Sequence, residues 1–187
     1  MIDAKLVQGF SEAASRVGAK VLPMRDASAA ADYIHMQAGG LVLLAPSPSL
    51  ERLGLARGLR ERGSDIATHQ PRTQAPAAAA GITGANFAIA DTGTVVLEST
   101  AEATRLATTL PTRHFVLLDP RKIVADGLAA VAPLRRLQQQ TPRSFLAYIS
   151  GPSRTADIER VLTIGVHGPC ELHILLLEGI SEDPLEN

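Results

Sequence analysis

The segments GPSRTADIE (151–159) and GVHGP (165–169) concentrate polar chemistry that burial alone does not call for: an arginine, two carboxylates, two hydroxyls and a histidine between two Gly-Pro pairs. His167, flanked by Gly165, Gly168 and Pro169, carries the side chain best suited to proton transfer near neutral pH, and is the leading acid/base candidate. Gly151 and Pro152 end a strand, and Ser153 or Thr155 suits the N-cap of a following helix. Free first-turn N–H groups beside the permanently charged Arg154 then favour an anion such as a carboxylate or phosphate. A ligand-free reading uses the same residues: Ser153 or Thr155 as a plain cap, Asp157 and Glu159 complementing the helix dipole, Arg154 paired with one of them. In that reading His167 is a turn histidine bonded to a carbonyl.

A second cluster, Asp91-Thr92-Gly93-Thr94, joins two β-rich runs. Asp91 offers a carboxylate, Thr92 and Thr94 hydroxyls, and Gly93 a backbone that a ligand can approach closely. The single Asp-Thr-Gly copy is also ordinary hairpin chemistry, and an aspartic protease does not fit the α/β pattern around it. His35, His69 and His114 are scattered without metal-ligand spacing, and His173 falls inside a strand, where a structural role is expected. Cys170, at the start of an apolar strand, reads as a small buried hydrophobe rather than a nucleophile. Neither G-x-G-x-x-G nor G-x-x-x-x-G-K-[ST] occurs, so no nucleotide motif is present.

The elements that must position these residues follow from periodicity. Helices are expected over 2–17, over 26–38 with Asp26 as cap and Gly39 as stop, over 49–62, over 101–108, over 121–139 with Ile123, Leu128, Val131, Leu134 and Leu137 inward, and from the Gly151-Pro152 turn to Leu162. The proline-punctuated stretch 70–80 reads as a loop into a short helix closed by Gly81. Strands are expected at AKVLP, LVLLAP, SDIATH, RHFVLLD, SFLAYIS and CELHILLLE, and FAIADTGTVVLES reads as an antiparallel hairpin. The alternation of strands and helices predicts a three-layer α/β fold with a mainly parallel sheet and the hairpin inserted. In such sheets ligands sit outside the carboxyl ends of the strands.

The chain of 187 residues suits one domain, with 182–187 expected to form a flexible tail. With 18 basic and 19 acidic residues the net charge is −1 and no basic run is present, which argues against a nucleic-acid partner. One cysteine allows no internal disulfide and no cysteine cluster site, which predicts a reducing, cytoplasmic setting. No apolar run is long enough to span a membrane, and the N-terminus lacks a signal-peptide core.

Taken in order, GITGANFAIADTGTVVLES, Arg105 through LATTLPTRH to His114, GPSRTADIE and GVHGPCELHILLLEG resemble the lactate-utilization (LUD) domain family, most closely its lactate utilization protein C branch. The resemblance covers roughly residues 81–179. It implies a fold similar to the ribose-phosphate isomerase, glucosamine-phosphate deaminase and CoA-transferase group, and a place in a bacterial system oxidising L-lactate to pyruvate. The family supplies no established catalytic residues; the carried-over positions are Asp91 to Thr94, Arg105, Gly151 to Asp157, Glu159 and Gly165 to Pro169. The iron–sulfur cysteine motifs of related chains are missing here, so clusters are expected only in partner subunits, with no cofactor in this chain. Three functions stay open: an accessory subunit binding a small anion or a partner, a stand-alone enzyme acting on a phosphorylated sugar or acyl-CoA, and a non-catalytic regulatory or structural module.

Overall fold

The computed structural model describes residues 2–67, 71–140, 144–156 and 162–187. Helix α1 (Ala4–Arg16) is opened by Asp3, whose carboxylate accepts the Lys5 and Leu6 amides, and it buries Phe10, Ala13 and Ala14. After β1 (Lys20–Met24), α2 (Ala27–Ala38) runs from the Asp26 cap to Gly39 in the left-handed conformation at φ 72°. Next come β2 (Val42–Leu44), α3 (Pro48–Arg52), α4 (Leu55–Glu61) and β3 (Ile66–Ala67). The single helix expected over 49–62 is two, because Gly54 turns left-handed at φ 65° between them.

A short helix, α5 (Pro71–Gln74), and a 3-10 turn at Ala75–Ala77 precede β4 (Ala80–Gly84). Gly81 therefore lies within a strand instead of closing a helix. A Cβ built there would overlap the Ala107 carbonyl oxygen, so the residue is glycine because a helix crosses directly over it. That helix is α6 (Glu102–Thr109), which follows the hairpin strands β5 (Phe87–Ile89) and β6 (Thr94–Glu98).

Beyond β7 (Arg113–Leu118) the expected long helix over 121–139 is replaced by β8 (Ile123–Val124), a turn, and a shorter α7 (Val131–Gln140). Asp126 Oδ1 accepts the Ala129 amide at 2.8 Å and fixes that turn, while Ile123 joins a strand pair with Ala88 and Leu128 is 83% exposed. Strand β9 (Leu146–Ile149) follows. The helix expected after Gly151-Pro152 is instead β10 (Arg154–Ala156), antiparallel to β11 (Leu162–Ile164), wherever it is described. The Ser153 amide donates to the Pro169 carbonyl at 2.9 Å and the Gly165 amide to the Ser153 carbonyl at 2.9 Å. The Ser153 amide is thus committed to a distant carbonyl and Arg154–Ala156 are extended, so the expected helix-terminus anion site does not form at these residues. The chain returns through β12 (Glu171–Leu177).

Six strands form one parallel sheet in the order β1-β12-β7-β4-β2-β3. Residue alternation sorts its side chains to two cores. Phe115, Leu117 and Leu175 meet Ile34, Leu50 and Leu59 of α2, α3 and α4 on one face. Val116, Leu118 and Ile174 meet Phe10 of α1 and Val95 and Leu97 on the other. Val95 and Leu97 belong to a second sheet, ordered β8-β5-β6-β9, into which the expected hairpin is built; α7 covers its outer side through Leu137 against Phe87 and Val96. The fold is α/β with a mainly parallel central sheet and an added, largely antiparallel one. Among the described residues no helix is long and apolar enough to cross a membrane.

Candidate functional site

Two clefts flank the Gly151-Pro152 turn at the amino ends of β7 and β12. Gly151 adopts φ 76°, and a Cβ there would overlap the Val17 carbonyl oxygen, so the end of α1 and this turn interlock only through glycine. The first cleft, about 260 Å³, is lined by Ser150, Gly151, Ser153, His167 and Gly168, with His114 and Leu172 from the central sheet and Thr108 and Thr109 from α6. His114 is 1% exposed and its Nε2 pairs with the Thr83 hydroxyl at 2.9 Å. Burial pushes its pKa down to about 3, so the cleft is floored by a neutral imidazole.

The second cleft, about 460 Å³, shares Pro152 and Leu172 with the first and is lined by Arg16, Lys20, Arg154, Cys170 and Glu171. Glu171 joins three neighbouring strands: Lys20 Nζ of β1 donates to it at 2.5 Å and Arg113 Nε of β7 at 3.0 Å. The Lys20 hydrogen bond, aided by the one from His173 and opposed by burial, holds Glu171 down at about 2. His173 itself is buried between Glu171, 3.1 Å from its Nε2, and the Tyr33 hydroxyl, 2.8 Å from its Nδ1; burial keeps its pKa below the ordinary value. Glu171 is thus committed within the fold, and Arg16 and Arg154 leave this opening with an excess of positive charge.

Of the sequence candidates, Gly151, Ser153, His167 and Gly168 meet in the first cleft, and Arg154 stands in the second. Gly168 approaches so closely that a Cβ on it would lie 3.0 Å from the Ser153 Cβ. Thr155 pairs with Thr163 across the β10–β11 hairpin and lines neither cleft. Asp91 and Thr92 are exposed at the β5–β6 turn, also outside the lining, while Gly93 packs against the α1 backbone at Ala13 and Ala14. The turn still reaches the cleft wall through hydroxyls: Thr92 Oγ1 to Thr94 Oγ1 at 2.7 Å, and Thr94 Oγ1 to Ser150 Oγ at 2.7 Å. Arg105 does something else. Its Nη1 donates to the Ser99 carbonyl at 2.8 Å and to that of Thr100, and its guanidinium lies 6.0 Å from the Phe145 ring centroid, tying α6 to the end of β6. Asp157 and Glu159, like His69, lie outside the described residues.

Cys170 is exposed rather than buried: its Sγ sits where a Cβ on Gly165 would stand, beside the second cleft. The sequence offered His173 as a structural strand residue and His114 as a scattered histidine, but not the Thr83 partner of His114 or the Tyr33 and Glu171 partners of His173. Their partners come from distant strands, so no local spacing marks them.

A family profile described as the LUD domain matches residues 7–177. A Neisseria meningitidis protein, NMB1437, is 40% identical over 109 residues, which is 57% of this chain and 46% of that one. Lactate utilization protein C of Bacillus subtilis is 30% identical over 158 residues, covering 78% of this chain and 66% of its own. The chain thus spans about half to two thirds of the length of these relatives. Among solved structures, a DUF162 family protein from Deinococcus radiodurans superposes with a TM-score of 0.65 at 20% identity, over 92% of this chain and 96% of that one, which supports the fold described above. With the profile matched along most of its length, the chain belongs to the LUD domain family.

Proposed function

We propose that this chain acts in bacterial L-lactate utilization as an accessory subunit that binds a small organic anion in the clefts beside Gly151-Pro152, while electrons pass through clusters in iron–sulfur partner subunits. The observation that carries the reading is the convergence of Ser153 and His167, from segments on either side of the β10–β11 hairpin, over the neutral His114, with Arg16 and Arg154 across the shared Pro152 wall. Hydroxyl and imidazole groups give directional hydrogen bonds to a carboxylate or an adjacent hydroxyl, and the neighbouring cations lower the cost of bringing negative charge in. A space near 260 Å³ suits a molecule of a few heavy atoms. Relatives named lactate utilization protein C support the setting. His167 is given the proton-handling role and Ser153 a binding role; Arg154 steers the anion. Asp91, outside the lining, receives no direct part and acts only through the Thr94–Ser150 contact.

A thermal-shift series with L-lactate, pyruvate, a sugar phosphate and coenzyme A tests this. A ligand at a hundred times its Kd stabilises by about 2.7 kcal/mol, a rise of roughly 5–10 °C for a chain of this size. Arg154→Ala and His167→Ala should each abolish most of the shift while keeping the unliganded melting temperature. A shift that survives both substitutions overturns the site, and turnover of a sugar phosphate or acyl-CoA by the purified chain alone overturns the accessory role.

A further inference from the structure

At the opposite end of the central sheet, beyond the carboxyl ends of β2, β4 and β7, residues 183–187 pass over a polar cradle. The hydroxyls of Ser47 and Ser49 both donate to the backbone oxygen of Asn187, the latter at 2.6 Å. Both serines are buried. A Cβ on Gly84 would overlap the Asn187 backbone carbon, so β4 ends in the one residue that lets this oxygen approach. Lys122, 5% exposed, donates to the carbonyl oxygens of Ala85 at 3.2 Å and Glu186 at 2.5 Å.

The charges here do not balance locally. The carboxylate nearest in sequence, Asp119, is engaged by the Arg121 guanidinium through two hydrogen bonds and by the Gly179 and Ile180 amides. Glu186 pairs with Arg52, and Asp183 with Arg136 at 2.9 Å. Among the described residues no carboxylate forms an ion pair with the buried Lys122 ammonium, which holds only neutral carbonyls. Burial drags its pKa down to about 8, against the weaker pull of Asp119, Glu186 and Asp183 and with the repulsion of Arg52. A buried cation satisfied by carbonyls alone is costly, and a mobile anion in its place would relieve it.

We propose that Ser47, Ser49, Gly84 and Lys122 form a binding site for the oxygen atoms of a small organic anion, a carboxylate or a phosphate ester, and that residues 183–187 are its displaceable occupant. This site is separate from the clefts at Gly151-Pro152.

Calorimetric titration of pyruvate and of inorganic phosphate into the full chain and into its Leu185→Asp/Glu186→Ala variant tests the proposal. The variant removes the Leu185 packing and the Arg52 pair that hold residues 183–187. At least tenfold tighter binding of one anion by the variant is expected, pyruvate marking a carboxylate site and phosphate an ester site, with the gain lost on adding Lys122→Met. A smaller gain for both anions, or a gain that survives Lys122→Met, overturns it. Should circular dichroism find the variant unfolded, hydrogen exchange on the unaltered chain decides: a saturating anion must speed exchange of the Asp183–Asn187 amides, and unchanged protection overturns the proposal. Ser153→Ala and His167→Ala must leave the gain intact, so failure of the cleft reading and failure of this one remain distinguishable.

Discussion

Among individual residues, His114 makes the sharpest physical statement. Its folded pKa near 3 lies below the ordinary value of 6.5, so the unfolded chain takes up the proton first as the solution is acidified. The stability that His114 contributes is therefore complete above pH 6.5 and is lost as pH drops toward 3, by roughly 1.4 kcal/mol per pH unit inside that window. Glu171, depressed from 4.5 to about 2, adds a second loss that begins only below pH 4.5. Denaturant midpoints measured between pH 6.5 and 4.5 should thus decline for the natural chain and less steeply for His114→Gln, whose amide can still meet Thr83, the remaining slope coming from the buried His173. A natural chain whose midpoint does not move over that interval contradicts a buried neutral imidazole. The sequence put Ser153 and His167 in one expected site, and the structure lines the first cleft with both: Gly151-Pro152 bends the chain before Ser153, and Gly165 and Gly168-Pro169 bend it around His167. It could not mark His114, whose importance comes from Thr83 on β4, the neighbouring strand of the sheet but three strands earlier in chain order.

At the level of elements, the turn glycines separate backbone strain from steric exclusion. Gly63 and Gly151 both have positive φ, at 83° and 76°, but a Cβ on Gly63 meets open space whereas one on Gly151 strikes the Val17 carbonyl. Gly63→Ala should cost about 1 kcal/mol from conformation alone, and Gly151→Ala about 2–3 kcal/mol, since the end of α1 must also move. Equal drops in melting temperature would mean that α1 and the turn do not interlock. The same region explains the largest misreading of local pattern. A Ser/Thr cap followed by Ile158 and Leu162 has helical spacing, yet Ser153 and Gly165 exchange backbone bonds with distant partners and the described part is strand. Tertiary hydrogen bonds overrode a local propensity worth a few tenths of a kcal/mol per residue. Where a cap and a left-handed stop coincided, as at Asp26 and Gly39, the sequence placed the helix within one residue.

For the molecule as a whole, the second sheet is the feature that periodicity underestimated. The hairpin was legible from Asp91-Thr92-Gly93, but its enlargement by β8 and β9 depends on pairings between segments far apart in the chain. Leu97, fully buried between the sheets, should cost 2–5 kcal/mol when changed to Ala. Leu128, assigned inward by helical spacing but 83% exposed, should cost less than about 0.5 kcal/mol. Comparable losses in urea unfolding would refute the two-sheet packing. The strand order carries one more consequence. β12, completed only at Leu177, sits between β1 and β7, so a nascent chain on the ribosome holds two open strand edges until the segment through Leu177 has been synthesised. Vectorial synthesis therefore leaves the earlier segments waiting for this wedge, and the facing edges of β1 and β7 stay open to wrong pairing until it is inserted.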